Sequence, residues 1–280
     1  FFRSARHRMS PGGSSGDGED EYFATDWSDL PDGVVWLFYV TRFGETWSTS
    51  RIKAKISRDG AKTWSDSFLV TLQDGTMVRN QPIVLSDGDY LLPIYHETGA
   101  DTEFTGADST SRMLRFTPGQ TQWREVGVIR SDKGNIQPGV VETSPGNLIA
   151  YCRRCGDYEP TDQGWTVTAS STDGGKTWTK GTDSTFKNPN SALDFKKLAN
   201  GHLLLVFNNH MYERSPLTVA ISEDQGKTFL RRQNIMEGEG SYAYPTAIQT
   251  KDGKIHVIFT SDERSVIQHA VFDEADVLRP

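Results

Sequence analysis

The residues best equipped for chemistry are arginines, amides and tyrosines. They occur as Arg79-Asn80-Gln81, His96-Glu97, Gln137, Arg153-Arg154, Asn190-Ser191, Asn208-Asn209, Arg214, Tyr242-Ala243-Tyr244 and Arg264. Several guanidiniums brought to one pocket suit a planar anion such as a carboxylate, which each can grip through two parallel N–H bonds. Metal and disulfide chemistry are poorly served. The only cysteines are Cys152 and Cys155. Two cannot build a disulfide framework, and zinc would need further ligands nearby. They are read as free or locally paired, and no metal or cofactor is expected.

What would position such residues is a repeat. Three segments are near copies: Ser57 to Trp64 (SRDGAKTW), Ser171 to Trp178 (STDGGKTW) and Ser222 to Phe229 (SEDQGKTF), with a worn fourth at Phe116 to Trp123. Their first positions are separated by 59, 55 and 51 residues. A second marker keeps the same beat. A turn ending in Gly33, Gly88, Gly146, Gly201 or Gly253 precedes a short apolar strand each time, at steps of 55, 58, 55 and 52. Two independent markers with one period argue for a unit of about four short strands, the size of a propeller blade. In each box the Asp carboxylate is suited to accepting backbone N–H bonds in a tight turn, and the aromatic residue to packing between sheets. The boxes are therefore read as turn-holders. A calcium loop is rejected, because one acidic position per box falls short of the six to eight oxygens calcium takes.

Antiparallel strands fix which end carries chemistry. The start of strand one, the end of strand two and the start of strand three share one end of a blade; the boxes, between strands three and four, lie at the other. All the polar residues named above fall at the first end. The expected fold is all-β: a propeller with four-stranded antiparallel blades, five visible as beats and six implied by resemblance to a known propeller family. Residues 1–25 are expected to form a partial first blade and a Gly/Ser/acidic loop, and residues 26–280 the propeller domain. Another segment or chain is expected to complete the missing blade.

From the boxes and the order of these polar residues, the sequence resembles the sialidase superfamily over roughly residues 27 to 275. The resemblance implies a carboxylate-binding arginine set, a tyrosine nucleophile assisted by a glutamate, and an aspartate acid/base. Gln137-Pro138-Gly139-Val140-Val141-Glu142 is similar to the family's Glu-x-x-Val-Val-Glu strand, with Gln137 where the assisting glutamate stands. Arg153 matches the second arginine, and Arg214-Ser215-Pro216-Leu217 the third. Tyr242-Ala243-Tyr244-Pro245 resembles the Tyr-Ser-Asp-Leu motif that carries the nucleophile, which the resemblance assigns to Tyr242. The family's first-blade Phe-Arg-Ile-Pro motif has no counterpart. A neutral phenol suits a carbon that bears a carboxylate, since a carboxylate nucleophile would be repelled; sialidases depart in this way from the two-carboxylate pattern of glycosidases.

The function expected is that of a sialidase-like glycoside hydrolase acting on terminal acidic sugars. Tyr242 is the expected nucleophile and Gln137 its hydrogen-bonding neighbour. Arg153 and Arg214 are expected to bind the carboxylate, with Asn190, Asp194, Asn208, Tyr244, Arg264, Arg79, Gln81 and His96 lining the pocket. A polysaccharide lyase using His96 with Tyr242 or Tyr244 is one alternative, and a non-catalytic glycan-binding or scaffold propeller another. Lacking the assisting glutamate, the chain is expected to turn over ordinary sialosides feebly at best. The net charge of −7 argues against a nucleic-acid partner. No apolar run is long enough to span a bilayer. A glycan substrate favours a secreted, periplasmic or lumenal setting.

Overall fold

The computed structural model describes residues 3–8, 22–24, 34–99 and 104–279. β1 (Arg3–Arg8) precedes the first sheet, which is β2 (Tyr22–Ala24), β3 (Val35–Arg42), β4 (Ser50–Ser57) and β5 (Phe68–Leu69). The second contains β6 (Thr76–Val78), β7 (Ile83–Val84), β8 (Tyr90–His96), β9 (Thr110–Phe116) and β10 (Arg124–Ile129), with β6 and β7 both lying along β8. The third is β11 (Asn135–Ser144), β12 (Asn147–Arg154), β13 (Trp165–Ser171) and β14 (Thr182–Lys187). The fourth is β15 (Asp194–Lys197), β16 (Leu203–Asn208), β17 (Leu217–Ser222) and β18 (Arg231–Met236). In the fifth, β19 (Ala243–Gln249), β20 (Ile255–Ser261) and β21 (Val266–Phe272) are joined by β1. A short helix, α1 (Glu274–Leu278), follows.

Each sheet is an antiparallel blade, and the fold is an all-β propeller. Among the described residues there are five blades, where six were expected. The N-terminal strands serve blades already counted: β1 lies on β21 from Arg3↔Val271 to Arg8↔Val266, and β2 lies on β3 from Tyr22↔Tyr39 to Ala24↔Leu37. Each thereby covers a strand edge that would otherwise present unpaired backbone groups. The acidic loop expected over Ser10 to Glu21 lies outside the described residues.

Alternation explains how the blades stack. Successive side chains on a strand face opposite ways, so an interior blade must be apolar on both faces. β16 (LLLVFN) and β17 (LTVAIS) are buried at every position. Four apolar clusters fill the interfaces between successive blades. Phe38, Val40 and Ile52 meet Leu92 and Ile94; Leu91 and Met113 meet Leu148 and Val167; Tyr151 and Phe186 meet Phe195 and Phe207; Val206 and Val219 meet Val257 and Phe259.

The boxes join strands three and four at one end. Asp59 accepts N–H bonds from Lys62 and Thr63 at 3.0 and 2.9 Å, and Asp173 does the same from Lys176 and Thr177. Asp224 accepts from Thr228 at 2.8 Å. The threonine hydroxyls and backbone amides of the turns hold all three carboxyls down at about 2. In the third box Gly175 has φ +83, where a Cβ would stand 3.0 Å from Leu91 Cδ2, so glycine is needed both for backbone and for space. Trp64, Trp178 and Phe229 are half-buried rather than buried, with Trp178 and Phe229 packing on the clusters of the second and third interfaces. The worn copy lacks the Asp, but Gly119 still turns at φ +88 and Trp123 packs against Trp36 and Phe38.

Candidate functional site

The opposite end gathers the arginines. Besides the Asp262–Arg264 turn, three non-glycine backbone positions there are left-handed: Gln137 at φ +51, Asn190 at +53 and Tyr244 at +54. They recur at steps of 53 and 54 residues, one near the start of each inner strand of blades three, four and five. Gln137-Pro138 and Tyr244-Pro245 sit on matching bulges, where the pairing shifts by one between Ile136 and Gly139 and between Ala243 and Thr246. Bulges re-aim side chains, and non-glycine residues in this conformation concentrate at functional sites.

Arg153 closes β12 and is buried, 4% exposed. Its Nε donates to Asn190 Oδ1 at 2.7 Å, and its terminal nitrogens donate to Gln137 Oε1 at 3.2 Å and to the Tyr158 hydroxyl at 3.0 Å. Arg214 donates to the Asn190 carbonyl at 3.3 Å and lies 5.6 and 5.8 Å from the ring centres of Tyr158 and Tyr244. Arg264, exposed on a tight turn after β20, lies 5.1 Å from the Tyr244 ring. Burial, and then the charge of Arg153, hold the Arg214 pKa below its ordinary value, with Arg264 acting in the same sense. Among the described residues, no carboxylate forms an ion pair within 4.0 Å of Arg153, Arg214 or Arg264. Burial opposes the charge of Arg153, which Tyr244, Tyr158 and then Glu97 favour; guanidiniums gathered in this way, none in an ion pair with a described carboxylate, suit an anion.

Several expected pocket residues have other employment. Tyr242 is 6% exposed within the core between blades four and five, where its hydroxyl donates to the Glu237 carbonyl at 3.2 Å. The tyrosine among the arginines is Tyr244. The bulge in β19 and the left-handed backbone at Tyr244 separate its ring from that of Tyr242. Arg79 is buried and donates to the carbonyls of Leu193 at 2.7 Å and Pro245 at 2.6 Å, its guanidinium 6.0 Å from the Tyr244 ring. Asp194 accepts the Ala247 N–H at 2.7 Å, and Asn208 donates to the carbonyls of Arg214 and Tyr242, both at 3.0 Å. Those three residues bind blades together. Gln81 lines a cavity of about 690 Å³ along the axis toward the box end, with Glu142, Phe195 and Lys197. His96 lies beside Gln73 at 3.3 Å, its pKa lowered by burial and by Arg112, and no described contact joins it to Tyr242 or Tyr244. Tyr158 was not singled out from sequence; it lies in the loop between β12 and β13, outside the strands and boxes that carried the reading. Gln137 also donates to the buried Tyr95 hydroxyl at 3.4 Å.

A family model described as a BNR repeat-like domain matches residues 25–257. A search of curated proteins finds no match. Among solved structures, the Hadza microbial sialidase Hz136 is 16% identical with a TM-score of 0.69, covering 88% of this chain and 51% of its own. The NanB sialidase from Streptococcus pneumoniae is 16% identical with a TM-score of 0.65, covering 81% and 36%. A protein of unknown function from Dyadobacter fermentans is 15% identical with a TM-score of 0.71, covering 92% and 78%. The chain thus spans about half or less of the two sialidases, and at these identities the likeness is one of fold. Boxes, blades and family match agree: the chain belongs to the BNR repeat-like domain family of propellers.

Proposed function

We propose that this chain is a sialidase-like glycoside hydrolase that receives the carboxylate of a terminal acidic sugar among Arg153, Arg214 and Arg264, with Tyr244 as nucleophile. The observation that supports it is that Arg214 and Arg264 lie 5.8 and 5.1 Å from the half-buried Tyr244 ring with Arg153 beside them, none of the three in an ion pair with a described carboxylate. In the reaction the Tyr244 oxygen bonds to the anomeric carbon as the bond to the leaving sugar's oxygen breaks; the phenol gives its proton to water and the leaving oxygen takes one from water, and a second water then displaces the phenol oxygen, releasing the sugar and restoring the phenol. Gln137 holds Arg153 through its amide oxygen and cannot accept the phenol proton. The nucleophile is therefore weakly activated, and turnover is slow.

The same amide favours a second reading, binding of the acidic sugar without turnover. The two are separated by following an aryl sialoside with the purified chain while measuring affinity for the free sugar. Hydrolysis lost in Tyr244→Phe supports the enzyme, and affinity without hydrolysis supports the lectin. Absence of both removes the carboxylate reading.

A further inference from the structure

Among the described residues, five phenylalanine and tyrosine rings are more than 36% exposed, and four of them stand at the arginine end. Phe43 (56%), Phe104 (50%), Tyr158 (42%) and Tyr212 (42%) lie in the loops joining strands two and three of blades one, two, three and four. The steps between them, 61, 54 and 54 residues, follow the blade period. The fifth, Phe68, is on an outer strand. Single exposed rings are ordinary on a protein surface, but one per blade at the same loop of four successive blades is a pattern.

Their neighbours narrow the partner. Phe43 has the Arg51 guanidinium 5.4 Å and the Lys53 ammonium 5.2 Å from its ring centre. Tyr158 lies beside Arg214 and accepts from Arg153. Tyr212 meets the His210 ring edge to face at 4.5 Å. Three of the four rings are thus flanked by cationic or polar groups, so no continuous apolar patch of the kind a protein partner buries is formed. A pyranose offers the complementary surface, with C–H bonds on one face to lie on an aromatic ring and hydroxyls around its edge to meet the flanking donors.

We propose that Phe43, Phe104 and Tyr212 are stacking platforms for the inner sugars of an extended acidic glycan whose terminal residue sits at the arginine cluster beside Tyr158. This rests on the carboxylate reading above and extends it from a terminal sugar to an oligosaccharide. The test is calorimetry with two probes, the methyl glycoside of a sialic acid and a linear tetrasaccharide ending in the same sugar, on the parent chain, Phe43→Ala, Tyr212→Ala and the double variant. All four must first show the same melting temperature. The tetrasaccharide should bind the parent at least tenfold more tightly than the methyl glycoside. Each substitution should shrink that ratio about three- to tenfold, the scale of one aromatic contact. A ratio near one in the parent, or a ratio unmoved by the double variant, overturns the platforms while leaving the carboxylate site standing. If the tetrasaccharide alone binds and depends on Phe43 and Tyr212, the platforms stand and the carboxylate reading fails. No binding of either probe overturns both.

Discussion

Arg214→Met separates binding from stability. Methionine keeps an unbranched apolar stem and removes the guanidinium with its charge. In the unliganded protein the change forfeits a 3.3 Å bond to the Asn190 carbonyl and the contacts with Tyr158 and Tyr244, each ring contact worth about 0.5–1 kcal/mol. It also removes a half-buried guanidinium whose pKa is lowered by burial and by Arg153, a gain of opposite sign. The two should nearly cancel, leaving the apo melting temperature within about 4 °C of the parent. Binding has no such compensation. Charge-assisted hydrogen bonds contribute roughly 1.5–3 kcal/mol, so affinity for sialic acid should fall about 10- to 150-fold. At a ligand concentration 100 times the parent Kd, mass action stabilises the parent by about 2.7 kcal/mol. A variant binding 100-fold more weakly gains only about 0.4 kcal/mol from the same ligand. Thermal melting with and without sialic acid therefore reads both quantities. An equal ligand-induced shift in parent and variant would refute the anion site, and a collapse of the apo melting temperature would show that Arg214 is a structural pin.

Tyr244→Phe should abolish whatever hydrolysis of an aryl sialoside the chain has, whereas Tyr242→Phe should cost about 1 kcal/mol of stability through its bond to Glu237 and leave hydrolysis in place; the reverse pattern restores Tyr242 as nucleophile. Gln137→Glu places a carboxylate beside Arg153 and should raise turnover by about 10²-fold or more; a folded variant with unchanged turnover means that this residue is not at the base position. Asp173→Ala should lower stability by about 1 kcal/mol, the modest value fitting a turn open to water, with no change in sugar affinity; a large affinity loss would place the boxes at the wrong end. The box carboxyls, lowered to about 2 in the fold from an ordinary 3.8, stabilise it fully above about pH 4, and that contribution is lost as pH falls toward 2. Acid unfolding of Asp173→Asn should accordingly be shallower over that interval, and an unchanged acid limb would count against the turn-holding role.

Much of this organisation was legible in the sequence because it is periodic. Boxes, glycine turns and apolar strands share one beat, and strand alternation then sorts residues to the two ends. That reasoning brought Arg153, Arg214, Gln137, Asn190, Tyr244 and Arg264 to one place. The choice of Tyr242 came from the resemblance and not from the period; residues 242 and 244 share a face in a regular strand, and the one-residue bulge with its left-handed backbone at Tyr244 sends the two rings to different surroundings. Arg79, Asp194 and Asn208 were placed near the correct end but with the wrong duty. Residue type does not reveal whether a donor or acceptor will be used by a ligand or by a buried backbone group on the next blade. The blade number was misjudged because β1 and β2 are separated in sequence from their partners, and nothing local shows that one joins the last blade and the other the first.

The bonds of Arg79 and Asn80 have a consequence for traffic. From blade two, Arg79 reaches Leu193 on blade four and Pro245 on blade five, and Asn80 reaches Pro138 on blade three at 2.7 Å. Together they form a bar across the waist of the axial channel, between the arginine cluster and the cavity toward the boxes. The arginine end is a cup with a floor. Under the proposed function, a sugar that enters there would leave by the same mouth, and a released product would stand in the path of the next substrate.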